Sequence, residues 1–260
     1  MLSDQRQSEI SDFIYREGKA SISELAEIFN VSCETIRRDL ITISRSKQIR
    51  KVHGGAVAVK PPILDKSYAV RQTKNSQSKE KIGQRAAMLI NDNDIIGLDS
   101  GTCSEALAKS IHGVRNVTFI VHSLPVATIL AQKMAAGDFT GSIVVLTGTV
   151  NPESLTITGM HTLSQLKSYH MNKSFLAATA VSEDGLMAGL ESDGLTSSLL
   201  INQSESSYIL AESEKFGQKS LFRFAEFDEV TAIITDSENP INHNIKKNIA
   251  QNGAEIITAQ

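Results

Sequence analysis

Cysteine is nearly missing from this chain. Its 260 residues include two, Cys33 and Cys103, set 70 positions apart with no CxxC and no His/Cys cluster near either. That spacing builds neither a disulfide framework nor a zinc site, so free thiols are expected, with no metal and no cofactor. Long apolar runs are missing too: no stretch approaches the roughly 20 residues that span a bilayer, and the opening "MLSDQRQSEI" lacks a basic segment followed by an apolar one. No membrane partner is expected, and the expected place of work is the cytoplasm. The rest of the composition is ordinary, 41% hydrophobic and 21% charged. That is enough for one small and one medium core, and disorder is not the default.

Net charge is small, −3, but unevenly placed: residues 1–60 hold ten Lys/Arg against eight Asp/Glu, whereas the other 200 residues hold 16 against 21. After Glu34 the N-terminal stretch carries Arg37, Arg38, Arg45, Lys47, Arg50, Lys51 and Lys60, with Asp39 as the sole acid. A basic surface is attached to an acidic body. Solubility alone accounts for such a skew, so the pattern around the charges has to decide.

Residues 4–16 place Ile10, Phe13 and Ile14 at helical spacing, and Gly18 follows as a stop. "SISE" at 21–24 has the capping-box form and starts a second helix, which ends at "NVS", where Asn30 tolerates a left-handed turn and Ser32 caps a third. In that third helix, expected over 33–45, Ile36, Leu40 and Ile43 point inward and leave Glu34, Thr35, Arg37 and Arg38 to solvent. Two helices joined by so short a turn, the second exposing Thr and Arg near its start, match a helix-turn-helix that reads base edges in the major groove. The competing reading is a surface pair between Glu34 and Arg38, which explains one arginine and not the arrangement. "QIRKVHGGAVAV" then alternates polar and apolar residues about Gly54-Gly55, as a hairpin wing would. The expected DNA contacts are Ser32, Glu34, Thr35, Arg37, Arg38, Arg50, Lys51, His53 and Gly54, on a module spanning 1–57. One such module covers little duplex, so a homo-oligomer joined through the rest of the chain and binding repeated half-sites is expected.

"KPPILDKSYAVRQTKNSQSKEK" is polar and holds two consecutive prolines, and it reads as a linker over 58–78. A helix is expected from about Lys79 to Ile90. The runs "IIGLD", "EALAKSI", "VTFIV", "PVATILAQKMA" and "SIVVLT" alternate strand and helix patterns, and "SFLAAT", "SYILA" and "TAIIT" add strands, with a helix over 242–250. This is an α/β domain with a mainly parallel sheet over 79–260. "LDSGTCSEALA" lies where its first strand gives way to a helix: Gly101 permits the turn, Ser100 and Thr102 offer hydroxyls, and the helix start offers amides to an anion. Many such turns bind nothing, and the loop alone leaves both readings open.

"VSCETIRRDL" followed by "IRKVHGGAV" closely resembles the N-terminal signature of the DeoR family of bacterial transcriptional regulators, and the resemblance continues over nearly the whole chain. It implies a winged helix-turn-helix followed by an effector domain similar to ribose-5-phosphate isomerase. The implied function is regulation of sugar metabolism, usually repression, with the grip on duplex operator DNA altered by a phosphorylated sugar. "LDSGT" looks like the family's phosphate loop, and "ILAESEKFG" looks like a second landmark, carried by Glu212 and Lys215. Departures cluster in the same region. His122-Ser123 stands where Asn-Ser is common, and Gly148-Thr149 replaces Gly-Gly. Asn172 and Glu212 replace aspartates, and Leu195, Ser197 and Ser198 stand where Lys or Arg is frequent. His122 is either a ligand donor in place of asparagine or a structural histidine.

The expected effector site is therefore anion-binding and lined by Asp99, Ser100, Gly101, Thr102, Cys103, His122, Ser123, Gly148 and Lys215. An alternative remains, a sugar-phosphate isomerase-type enzyme fused to a helix-turn-helix, using Asp99, Glu212 and Lys215 for proton transfer. The fused basic module favours the regulator, and no catalytic residue is assigned.

Overall fold

Glycine 18, at φ 81°, ends the first helix, α1 (Ser3–Glu17), in a left-handed conformation that costs other residues strain. A short strand β1 (Lys19–Ser21) leads to α2 (Ile22–Ile28). There the capping box forms: Glu24 N donates to Ser21 Oγ at 3.1 Å and Ser21 N to a Glu24 carboxylate oxygen at 3.3 Å. Asn30 takes the left-handed turn at φ 49°, and α3 (Cys33–Ile43) follows, with Ser32 Oγ accepting from Thr35 N at 3.1 Å. Strands β2 (Ile49–Val52) and β3 (Gly55–Ala58) form the hairpin. The sheet order is β1-β3-β2. A Cβ on Gly55 would sit 2.3 Å from the Ala20 carbonyl oxygen, so β1 approaches β3 only because glycine is there. Ile10, Ile14, Leu25, Ile36, Leu40 and Ile49 are buried together between the helices and this sheet.

This computed structural model describes residues 3–44, 49–58 and 68–260. The chain divides into two units, Met1–Pro62 and Ile63–Gln260.

The second unit opens with α4 (Tyr68–Thr73) and α5 (Ser76–Ala87). A first run of βα units follows: β4 (Ile95–Leu98), α6 (Thr102–Ser110), β5 (Val117–Val121), α7 (Leu124–Ala135) and β6 (Gly141–Val145). A hairpin, β7 (Thr149–Asn151) and β8 (Thr156–Thr158), and α8 (Met160–Leu166) lead into β9 (Met171–Ala177). Then come β10 (Ala180–Ser182), β11 (Gly185–Ala188), α9 (Glu191–Asn202), β12 (Ser204–Leu210) and β13 (Phe222–Ala225). The described chain closes with β14 (Ala232–Thr235), α10 (His243–Gln251) and β15 (Glu255–Thr258). The main sheet has seven strands in the order β15-β14-β12-β9-β4-β5-β6, every pair parallel. Alternate residues along its strands enter different cores: Phe175, Leu210 and Ile234 pack with Leu107 and Phe119, whereas Leu176, Ile209 and Ile233 pack with Leu166 and Leu200. Both faces are covered, as a parallel sheet requires.

The expected linker is not a linker throughout. Residues 68–73 and 76–78 are helical, while 59–67 lie outside the described residues. The buried Lys79 ammonium donates to the carbonyls of Arg71 and Lys74, closing the C-terminal end of α4, a side-chain bond that no apolar periodicity announces. The helix expected from Lys79 to Ile90 runs Ser76–Ala87. At the other expected helix, α3 runs to Ile43 with Ser44 as its C-cap, and residue 45 lies outside the described residues.

Candidate functional site

Helix α3 buries Ile36, Leu40 and Ile43, which turns Glu34, Arg37 and Arg38 to solvent and leaves Thr35 half-buried beside the exposed Ser32. Glu34 is bracketed by Arg37 at 3.3 Å and Arg38 at 3.6 Å, with 53% and 79% of the arginine side-chain surfaces exposed. Asp39 is turned the other way: it is buried, and accepts from Arg6 Nε at 2.7 Å, Arg6 Nη2 at 3.3 Å and Gln7 Nε2 at 2.8 Å. Burial works against its charge, but these donors and the guanidinium charge hold its carboxyl below the usual range. The sole acid after Glu34 is thus removed from the exposed face and ties α3 to α1. Arg50, Lys51, His53 and Gly54 are exposed on the wing, where Gly54 at φ 80° makes the turn.

In the large unit the chain runs outward from β4 through β5 to β6, then returns and builds β9, β12, β14 and β15 on the other side. The switch between β4 and β9 opens a crevice at the C-terminal strand ends, where such sheets bind ligands. A cavity of about 320 Å³ occupies it. Asp99 to Cys103 line one wall, between β4 and α6; Ala177 to Thr179 follow β9; Glu212, Glu214 and Lys215 follow β12. Gly101 is the N-cap of α6, at φ 111° and without a capping side chain, so the first amides of that helix keep their hydrogen-bonding capacity. A Cβ there would lie 3.1 Å from that of Ala177. Arg71, Lys74 and Lys79, from α4, its C-terminal end and α5, complete the cationic lining together with Lys215.

The floor is a hydrogen-bonded group. His122 Nε2 is 2.8 Å from Asp99 Oδ1, Ser100 N donates to the same oxygen at 2.7 Å, and Ser197 Oγ donates to Oδ2 at 2.8 Å. His122 is buried; burial disfavours its charge, but the hydrogen bond to Asp99 and the Asp99 charge outweigh this and raise its pKa. Burial also pushes the Cys103 thiol up, to about 12, with the Glu212 charge acting the same way. Cys103 is therefore a neutral wall residue and no nucleophile. Glu214 meets Lys74 at 2.5 Å, and Asn75 Nδ2 donates to Glu212 at 2.9 Å. Burial opposes charge on Glu214, but its bonds to Lys74 and Asn75 keep its carboxyl below the usual range. Among the described residues no group of three or more His, Cys, Asp or Glu is placed to hold a metal ion, and no helix is long and apolar enough to cross a membrane.

Residues 6–61 match the DeoR-like helix-turn-helix domain and residues 74–237 the DeoR C terminal sensor domain. The chain belongs to the DeoR family. Among relatives of this DeoR-family regulator, the HTH-type transcriptional repressor GlcR of Bacillus subtilis (strain 168) is 31% identical, over 91% of this chain and 89% of that one. The lactose phosphotransferase system repressor of Staphylococcus aureus (strain N315) is 28% identical, over 90% and 92%. Among solved structures, ribose 5 phosphate isomerase A from Neisseria gonorrhoeae aligns over 56% of each chain at 14% identity and a TM-score of 0.41. The probable sor operon regulator from Shigella flexneri aligns over 71% of this chain and 86% of that one, at 10% and 0.40. Neither structural likeness reaches the level at which shared chemistry follows.

The DeoR-family chain departs from the expected pocket at three positions. Asp99, Ser100, Gly101, Thr102, Cys103 and Lys215 line the cavity, but His122, Ser123 and Gly148 do not. His122 stands behind Asp99. Ser123 is the N-cap of α7, accepting from Val126 N at 3.5 Å. Gly148 faces Thr162 and Thr158, and a Cβ there would fall 2.2 Å from Thr162 Oγ1. Sequence reasoning missed Arg71, Lys74, Lys79, Asp193, Ser197 and Gln218 as lining residues. The departure at Ser197 was the single available signal, since the first three sit in a polar stretch without periodicity.

Proposed function

We propose that this DeoR-family regulator represses a carbohydrate-utilisation operon in the cytoplasm and is controlled by a phosphorylated sugar or related anionic metabolite bound in the β4–β9 cavity. It binds duplex operator DNA as a homo-oligomer, with α3 in the major groove. Arg37 and Arg38 contact bases or phosphates there, Ser32, Glu34 and Thr35 lie beside them, and Arg50, Lys51, His53 and Gly54 follow the backbone. Magnitudes favour this reading of the arginines. An exposed pair with Glu34 contributes a few tenths of a kcal/mol, against about 1–3 kcal/mol for a bidentate base contact, so DNA displaces Glu34.

The observation that carries the effector reading is the cavity itself: an uncapped helix start faces Lys215 and three further cations. The names of two relatives, a transcriptional repressor and a lactose phosphotransferase system repressor, support repression, and the second supports the sugar assignment. An isomerase mechanism fits the floor poorly. Proton abstraction needs a carboxylate free to take a proton, and both Asp99 oxygens are engaged by His122, Ser100 and Ser197.

Screening the full chain by thermal shift against pentose and hexose phosphates, with the matching neutral sugars beside them, tests the proposal. A phosphate ester at about 100 times its Kd stabilises by about 2.7 kcal/mol, and its neutral parent leaves the unfolding temperature unmoved. Equal stabilisation by the neutral sugar, or turnover of the ester seen by phosphorus NMR, overturns it.

A further inference from the structure

We propose that the first helix of the large unit and the residues after it are part of the anion site: Arg71 and Lys74 bind the phosphate group, and occupation exchanges Lys74 from Glu214 to the ligand. This rests on the effector reading above and adds residues from outside the sheet. The 68–75 segment is not packed by an apolar face; the burial of α4 includes no fully buried residue. The polar bonds of Lys74, Asn75 and Lys79 tie it to the cavity lining. The Lys79 ammonium, buried, spends two of its three donors on the carbonyls of Arg71 and Lys74 and keeps one for the cavity it lines. Lys74 pairs with Glu214 at 2.5 Å, and Asn75 donates to Glu212 at 2.9 Å. Both carboxylates line the same cavity as Arg71 and Lys74.

Within the lining Glu214 has Lys74, Glu212 has Asn75, and Asp99 has His122 and Ser197. A phosphate dianion at the start of α6 changes that balance. Lys74 then has two competing acceptors, and its pair with Glu214 is 41% and 37% exposed, hence weak. The stronger, more enclosed charge draws Lys74 and Arg71 inward. The nine residues 59–67 separate this segment from β3 of the DNA-reading unit. The segment is the described part of the large unit that lies nearest in sequence to the DNA-reading unit.

Inorganic phosphate, the part common to all phosphorylated effectors, is the probe, with chloride at matched ionic strength as control. On the full wild-type chain, millimolar phosphate is expected to bind by phosphorus NMR and to slow hydrogen exchange in peptides covering 68–78. In an Arg71→Gln, Lys74→Gln double variant, affinity is expected to fall at least about tenfold, equivalent to about 1.4 kcal/mol. Lys133→Gln, which breaks a lysine pair with Asp138 outside the cavity, should bind as wild type.

A second arm needs no ligand. Glu214→Gln frees Lys74 as the ligand does, and should change affinity for a duplex selected by the wild-type chain by about fivefold or more, the scale of ordinary coupling. Asp138→Asn should not. Phosphate binding that is absent in wild type, or equal in the double variant, overturns the proposal, as does an unchanged duplex affinity in Glu214→Gln. Failure to select any duplex instead overturns the DNA-binding reading, and the phosphate arm still decides this one.

Discussion

Arg38 in the small unit meets the Glu34 carboxylate and Lys79 in the large one meets two backbone carbonyls, yet 79% of the Arg38 side chain is exposed and Lys79 is 5% exposed. The contrast extends to their surroundings. On α3 the charges meet one another loosely at 3.3 and 3.6 Å in solvent. Around the cavity the floor is buried, with Asp99 bonded to His122 and Ser197 at 2.8 Å and to the Ser100 amide, while the Lys74–Glu214 pair at the rim is partly exposed. A reading face works best with charges that change partner at little cost. A sensing cavity works best with charges that cannot change partner without moving something. Under the proposed function, the same residue types serve recognition in one unit and response in the other.

The largest expected effect breaks the buried side of that comparison. Replacing His122 by Ala leaves Asp99 buried without its main partner, and should destabilise the large unit by about 3–5 kcal/mol in denaturant unfolding. The sign of the pH dependence follows from the raised pKa of His122. Its contribution is full below the unfolded value of about 6.5 and is lost as pH rises through the higher folded value. The stability gap between wild type and His122→Ala should narrow as pH rises. A gap that widens would mean that His122 is held neutral.

On the exposed side, Arg37→Ala and Arg38→Ala should each weaken binding to a selected duplex, by about 1–3 kcal/mol where the lost contact is bidentate to a base. Chemical stability should stay near wild type. Fluorescence anisotropy showing full affinity in both variants removes α3 from the DNA interface.

Asp39→Asn tests the buried pair of Asp39 with Arg6. The lowered pKa of Asp39 means that its contribution is present above the unfolded carboxylate value and lost as pH falls through the folded one. Circular dichroism in acid should find wild type losing stability faster than the variant, and parallel acid limbs would contradict the pair. The smallest effect belongs to Lys51→Ala on the wing. It should weaken all duplexes alike and lower the salt slope by about 0.9, one phosphate contact.

Much of the small unit is legible in the sequence because its signals are local. Ser21 with Glu24, Asn30, Ser32 and Gly54 each act within a few residues. The strands of the main sheet are legible as apolar runs for a similar reason. Strand β1 is not: three residues carry no pattern, and they pair with β3 more than 30 positions on. Nor is the small antiparallel sheet β10-β11-β13, where Leu186 opposes Ala225. At the site, the loop from Asp99 to Cys103 is legible and its floor is not. Asp99, His122 and Ser197 lie 23 and 98 positions apart, and only the sheet order brings them together. Arg71 and Lys74 stayed hidden because the bonds that shape α4 come from Lys79 and the turn after β12, not from its own sequence.

One titration tests the central claim most directly, that an anion in the cavity controls a reading face on the other unit. A duplex selected by the full chain is titrated with protein, alone and then with the phosphorylated sugar that most raises the unfolding temperature. The dephosphorylated sugar serves as control, at constant ionic strength. The account predicts that the phosphorylated sugar changes duplex affinity by about fivefold or more, that its neutral counterpart has no effect, and that Lys215→Ala abolishes the response. Equal duplex affinity in all three conditions, with the phosphorylated sugar bound, would contradict it.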